Sequence, residues 1–166
     1  MPKLTFNQIY LGSVPESQRF VGIRLSLDPG HTTGYAVWKC DVQGASLLEA
    51  GQVTTWTKND MSMDAFIAIL DKHPPHEVVF ETYQIYEWKS DDHSWSQIPT
   101  VQIIGAMKML FIQRGIKYVS QTAQVAKQFC TDEKLEQWGF YTKGLRHARD
   151  AIRHGCYRIL FGHKNS

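Results

Sequence analysis

The sequence predicts an α/β layer fold around a five-stranded mixed sheet flanked by helices. Its first three strands are expected to be antiparallel and the last two parallel. Two observations carry this prediction. Three short strand-like runs follow one another with brief connections, as in an antiparallel meander. Beyond them helix-like and strand-like segments alternate, and the chain closes on helices.

Each element follows from local pattern. Residues 1 to 20 read as an N-terminal arm, because Pro2, Gly12, Ser13 and Pro15 interrupt a few apolar positions; residues 21 to 166 form the expected domain. Val21, Ile23, Leu25 and Leu27 alternate with other residues, the period of a strand with one face buried. Asp28-Pro29-Gly30 ends that strand in a turn. Gly34 to Cys40 reads as the second strand and Leu48 to Thr57 as the third. Met63, Phe66, Ile67 and Leu70 recur at helical spacing, and Pro74-Pro75 stops the helix. Val78, Val79 and Phe80 form a short buried strand leading directly into Glu81. A polar, aromatic loop from Tyr83 to Ile98 precedes a long helix over roughly 101–114, and Ile116 to Val119 is the fifth strand. Helices are expected over 122–129, 131–138 and 145–160.

Composition narrows the class. A chain of 166 residues with 43% hydrophobic and 20% charged residues is one ordinary globular domain. No apolar run approaches the roughly 20 residues that span a bilayer, and the N-terminus has no signal-peptide pattern. The three cysteines, Cys40, Cys130 and Cys156, form no C-x-x-C pair, which points away from a disulfide framework and towards a reducing cytoplasm. The net charge of +2 conceals an asymmetry. From Arg114 onward ten lysines and arginines face four acids, whereas the preceding residues carry eight against twelve. A basic third beside an acid-rich remainder suits an anionic ligand held next to an acidic pocket, or equally a solvated helical surface.

Four residues stand out chemically. Asp28 and Glu81 lie at the ends of hydrophobic strands, where a desolvated carboxylate is costly unless something positive binds it. In α/β sheets ligands gather at the carboxyl ends of such strands. His147 and Asp150 are three residues apart and share one helix face, beside an apolar stripe of Ala148, Ala151, Ile152, Gly155, Cys156 and Ile159. Arg146 and Arg149, with Lys143 just before the helix, are suited to backbone phosphates or simply to water. Tyr83, Tyr86, Trp88 and Trp95 are candidates either for stacking on flat rings or for covering the core. His154 lies four residues beyond Asp150 and is placed to hydrogen-bond it; the other histidines show no zinc-type spacing.

The segment Leu27-Asp28-Pro29-Gly30-His31-Thr32-Thr33-Gly34-Tyr35-Ala36 resembles the first-strand motif of the RuvC-type Holliday junction resolvases, which have the ribonuclease H-like fold. Val79-Phe80-Glu81 resembles that family's second acidic position, the region of Gln102 and Gly105 its central helix, and His147-Ala148-Arg149-Asp150-Ala151 its terminal His-x-x-Asp-Ala helix. The motifs occur in order over roughly residues 21–160. The resemblance implies a homodimeric endodeoxyribonuclease that resolves four-way DNA junctions by paired nicks, acting in the cytoplasm of a bacterium or a phage-infected cell. It implies two Mg²⁺ or Mn²⁺ ions per active site, with Asp28 bridging them and Glu81 and Asp150 each completing one. His147 is assigned mainly to orienting or deprotonating water, with weak metal contact. Lys127 matches a basic position of the family and is expected to contact phosphate. The segment 83–98 departs from the cellular pattern, as bacteriophage-borne relatives do. That departure leaves broader branched DNA, flaps or RNA–DNA hybrids as alternative substrates. A silent DNA-binding domain of the same fold is a further alternative. The Asp-x-Gly-x-Thr-x-Gly spacing also resembles the phosphate loop of actin-like ATPases, but those need a second lobe and a second glycine-rich loop that this sequence does not supply.

Overall fold

The computed structural model describes residues 2–82 and 97–165. A five-stranded sheet has the order β3-β2-β1-β6-β7, comprising β1 (Gly22–Asp28), β2 (Thr32–Asp41), β3 (Gly44–Thr54), β6 (Glu77–Glu81) and β7 (Lys117–Gln121). β1, β2 and β3 pair antiparallel, and β1, β6 and β7 pair parallel. This is the expected mixed sheet.

Side chains alternate across the sheet, and each face carries its own helices. Leu25, Leu27, Val37, Val78 and Phe80 point to one face, where α2 (Asp64–Lys72) and α3 (Gln97–Gln113) cover them with Phe66, Leu70, Ile103, Met107 and Phe111. Ala36, Trp38 and Cys40 point to the other. There they meet α1 (Phe6–Ser13), α4 (Ala123–Phe129), α5 (Asp132–Trp138) and α6 (Arg146–Phe161). Ala151, Ile152, Cys156 and Ile159 form the buried stripe of α6, as the sequence spacing indicated, and Leu160 extends it. Each fully buried large side chain contributes roughly 1.5–3 kcal/mol.

Two glycines set how closely α6 approaches the sheet. A methyl group on Gly34 would overlap the backbone carbonyl of His147, and one on Gly155 would overlap Trp38 and Ser26. At Gly155 the space is filled by the Trp38 indole, whose Nε1 donates to Ser26 Oγ at 3.1 Å. The helix therefore lies against β1 and β2 at both points with nothing between.

Three elements differ from expectation. The first twenty residues, expected as an arm, contain a helix folded onto the sheet: Phe6, Tyr10 and Val14 are buried, and Phe6 packs edge-on against Trp138 and Phe140. Thr5 and Gln8 form a reciprocal capping box at its start. The third strand ends at Thr54, not Thr57, because Thr55 turns aside, donating its N–H to the His31 carbonyl and its hydroxyl to that of Gly30. After it comes a separate small hairpin of β4 (Trp56–Thr57) and β5 (Asp60–Met61). Lys58 and Asn59 both have positive φ there, as a two-residue primed turn requires.

At the end of the sheet where β6 begins lies a buried ionic cluster. Glu77 accepts from Arg24 Nε at 2.9 Å and from Arg158 Nε at 3.0 Å. These opposed charges hold its carboxyl below the usual carboxylate range despite burial.

Candidate active site

The register places one row of residues across all five strands. Asp28 pairs with Gly34, and Gly34 pairs with Gln52. On the other side Leu27 pairs with Phe80, so Asp28 and Glu81 follow side by side, and Glu81 pairs with Gln121. The row runs Gln52, Gly34, Asp28, Glu81, Gln121. Helix α6 crosses above it. The His147 N–H donates to Gln52 Oε1 at 3.0 Å, and its carbonyl rests on Gly34. Its ring nitrogen Nδ1 lies 2.9 Å from Asp28 Oδ2. One turn on is Asp150, and a further turn brings His154 Nε2 to 3.2 Å from Glu81 Oε2.

The four residues singled out in the sequence are thus gathered where β1 and β6 end beneath α6. The electrostatics reflect their crowding. Burial pushes the Asp28 carboxyl up to about 6, and the negative charges of Glu81 and Asp150 add to the effect, while His147 opposes it. Burial acts upward on Glu81 too, but His154, Lys127 and a hydrogen bond with Asp28 outweigh it and hold Glu81 below the usual range. Asp150 faces Lys127 Nζ at 3.7 Å and Arg153 Nε at 3.9 Å, distances of ion pairing, not of hydrogen bonding.

This donor set fits a hard divalent cation. It offers carboxylate oxygens from three separate elements, and their mutual repulsion, visible in Asp28, is what a bound cation relieves. Among the described residues no three such side chains already stand in a metal-ligating cluster. Asp28 is turned to His147, Glu81 to His154, and Asp150 towards Lys127 and Arg153.

Beside Asp150 opens a cleft of about 650 Å³ lined by Lys127, Arg146 and Arg153 together with Thr131, Asp132 and Glu133. Lys127 and Arg146, two of the expected phosphate contacts, are on the wall of this cleft. Lys143 is exposed in the loop before α6. Arg149 is already committed: its Nη1 donates to the Thr142 carbonyl at 2.8 Å, and its guanidinium stacks on Tyr141. Tyr83, Tyr86, Trp88 and Trp95 lie outside the described residues.

The sequence reading gave His154 the wrong neighbour. Its ring touches Glu81 and Gln121, not Asp150. The spacing His147, Asp150, His154 did mark one helix face; which carboxylate His154 meets depends on strand order. Gln121 carried no signal of its own.

No protein-family model matches the sequence, and no curated protein matches it. Solved structures do match. Thermus thermophilus RuvC in complex with a Holliday junction substrate aligns with a TM-score of 0.67 at 15% identity, over 86% of this chain and 96% of that one. The fowlpox virus Holliday junction resolvase aligns with a TM-score of 0.56 at 20% identity, over 82% and 96%. The yeast mitochondrial Holliday junction resolvase aligns with a TM-score of 0.58 at 11% identity, over 96% and 94%. The chain has the ribonuclease H-like fold of these resolvases. No helix among the described residues is long and apolar enough to cross a membrane.

Proposed function

We propose that the protein is a metal-dependent endodeoxyribonuclease that cuts four-way DNA junctions. The observation that carries this reading is the convergence of Asp28, Glu81, Asp150 and His147, from β1, β6 and α6, on a fold shared with junction resolvases.

Asp28, Glu81 and Asp150 would hold two Mg²⁺ or Mn²⁺ ions, which when bound activate water and neutralise charge on the leaving oxygen. The chain's own side chains do the rest. Asp28 engages His147 through Nδ1, which fixes the ring and leaves Nε2 as the nitrogen available to orient a water or take its proton. Half-exposure of the ring lets solvent reach it. Lys127 and Arg146, on the wall of the adjacent cleft, meet the DNA backbone and hold the phosphodiester over the carboxylates. A homodimer belongs to this reading, since paired nicks on a two-fold junction need two sites. Helix α3 exposes Val101, Met109 and Ile112 on one helical strip suited to a second copy.

The test is cleavage of labelled four-way, three-way, flap, linear duplex and RNA–DNA hybrid substrates with Mg²⁺ or Mn²⁺. Symmetric, metal-dependent cutting of the four-way junction, lost in Asp28→Asn, is expected. Cutting that survives Asp28→Asn and Asp150→Asn together overturns the site, and preference for another substrate in the panel overturns the junction assignment. A solution mass of a monomer while DNA is being cut in paired nicks contradicts the dimer.

A further inference from the structure

We infer that His154 and Gln121 are positioning residues that hold one oxygen of the Glu81 carboxylate and so fix its orientation beside Asp28. This rests on the reading of Asp28, Glu81 and Asp150 as a cation site, and it adds residues that touch neither cation nor DNA.

The Gln121 side chain reaches from β7 to His154 on α6. Its Nε2 lies 3.2 Å from the His154 backbone carbonyl. A carbonyl only accepts, so the atom facing it is the amide nitrogen and not the amide oxygen. The same nitrogen is 2.9 Å from His154 Nδ1. Its second hydrogen therefore points at Nδ1, which must accept. In the neutral ring the proton then sits on Nε2, 3.2 Å from Glu81 Oε2, and Nε2 donates to the carboxylate. Gln121 selects the tautomer, and the tautomer turns the only ring N–H towards Glu81.

Among the described residues Gln121 and Glu81 are the side-chain partners of the ring. His154 is fully buried on α6, so neither ring nitrogen has water as an alternative partner. Gln121 and Glu81 are direct neighbours in the parallel β6–β7 ladder. That ladder continues past the site, because the Thr82 N–H donates to the Gln121 carbonyl at 2.8 Å. A histidine serving the core alone would need its two nitrogens satisfied by anything within reach. Here one nitrogen is spent on setting the other, and the other ends on a carboxylate beside Asp28. Groups behind a metal ligand that hydrogen-bond it this way fix its orientation and raise affinity.

The test uses the full chain without DNA and reads Mn²⁺ binding by isothermal titration calorimetry, alongside urea unfolding and ¹⁵N NMR of the histidine rings. His154→Leu is expected to weaken Mn²⁺ binding about 10–100-fold, and His154→Gln, which keeps an N–H near Glu81, to recover most of the loss. Gln121→Leu is expected to weaken binding about 10-fold, the lower end of that range, and to shift the His154 ring signals away from a pure Nε2-protonated form. A folded His154→Leu that binds Mn²⁺ like the wild type overturns the proposal. Should His154→Leu not fold, a Gln121→Leu protein with unchanged ring signals and unchanged Mn²⁺ affinity overturns it equally. The two readings fail separately. Mn²⁺ binding that needs Asp28 but ignores His154 and Gln121 defeats only the positioning role, whereas a wild-type chain that binds no Mn²⁺ defeats both.

Discussion

Replacing Asp28 by asparagine should stabilise the metal-free protein at neutral and higher pH while removing its activity. Burial and two neighbouring carboxylates push Asp28 up to about 6, from an ordinary 3.8. Between those values the folded state binds a proton that the unfolded chain releases. The associated stability is therefore fully present below about pH 3.8 and is lost as pH rises through about 6. At about 1.4 kcal/mol per pH unit the loss amounts to about 3 kcal/mol. Asparagine stays neutral, keeps an oxygen to accept from His147 and offers an N–H towards Glu81. The variant should exceed the wild type by up to about 3 kcal/mol at pH 8, with the gap closing at pH 4. For a chain of this length that is roughly 6–12 °C in Tm. Urea and thermal unfolding in a chelator, at both pH values, measure it. Mn²⁺ should then raise the Tm of the wild type and leave the variant where it was. An asparagine variant less stable than wild type at pH 8, or equally stabilised at pH 4 and 8, refutes the reading that burial, with the neighbouring carboxylates, raises Asp28.

Three further outcomes are expected. Gly34→Ala puts a methyl group into the His147 carbonyl, so it should cost about 3 kcal/mol, the upper end for overpacking, and abolish cleavage by lifting α6 off Asp28; unfolding curves and the cleavage assay check both. Glu77→Gln leaves Arg24 and Arg158 buried without their counter-charge, so it should destabilise by about 3 kcal/mol or more, yet leave Mn²⁺ affinity in calorimetry unchanged because the cluster lies at the far end of β6. Lys127→Ala and Arg146→Ala should each weaken junction binding and make its dependence on log salt shallower by about 1, which fluorescence anisotropy at several salt concentrations records.

What the sequence disclosed tracks how local each feature is. Asp28 and Glu81 were legible because an acid closing an apolar run is anomalous within a few residues of chain. His147 and Asp150 were legible through helical spacing. Their convergence was not local: it requires β6 to insert beside β1, and only the ordered motifs resembling the resolvases pointed there. The N-terminal helix was hidden by Pro2, Gly12 and Pro15, although Thr5 and Gln8 stand at capping-box spacing and Phe6, Tyr10 and Val14 repeat every fourth residue. His154 was assigned to Asp150 because four residues along a helix is the nearest neighbour a sequence offers. The sheet beneath presents Glu81 instead.

The crossing of α6 over the row of strand residues also bears on when the site comes into being. The contact between Asp28 and His147 joins positions 119 residues apart, and the one between Glu81 and His154 joins positions 73 apart. During synthesis the sheet strands leave the ribosome well before α6 does. Until that helix docks, Asp28 and Glu81 stand on the sheet without His147, Asp150 or His154. On the proposed reading, a chain truncated before α6 lacks half of the site and should not cut DNA. The site is assembled by docking, because no single segment of the chain carries both its strand-end acids and its helical His–Asp pair.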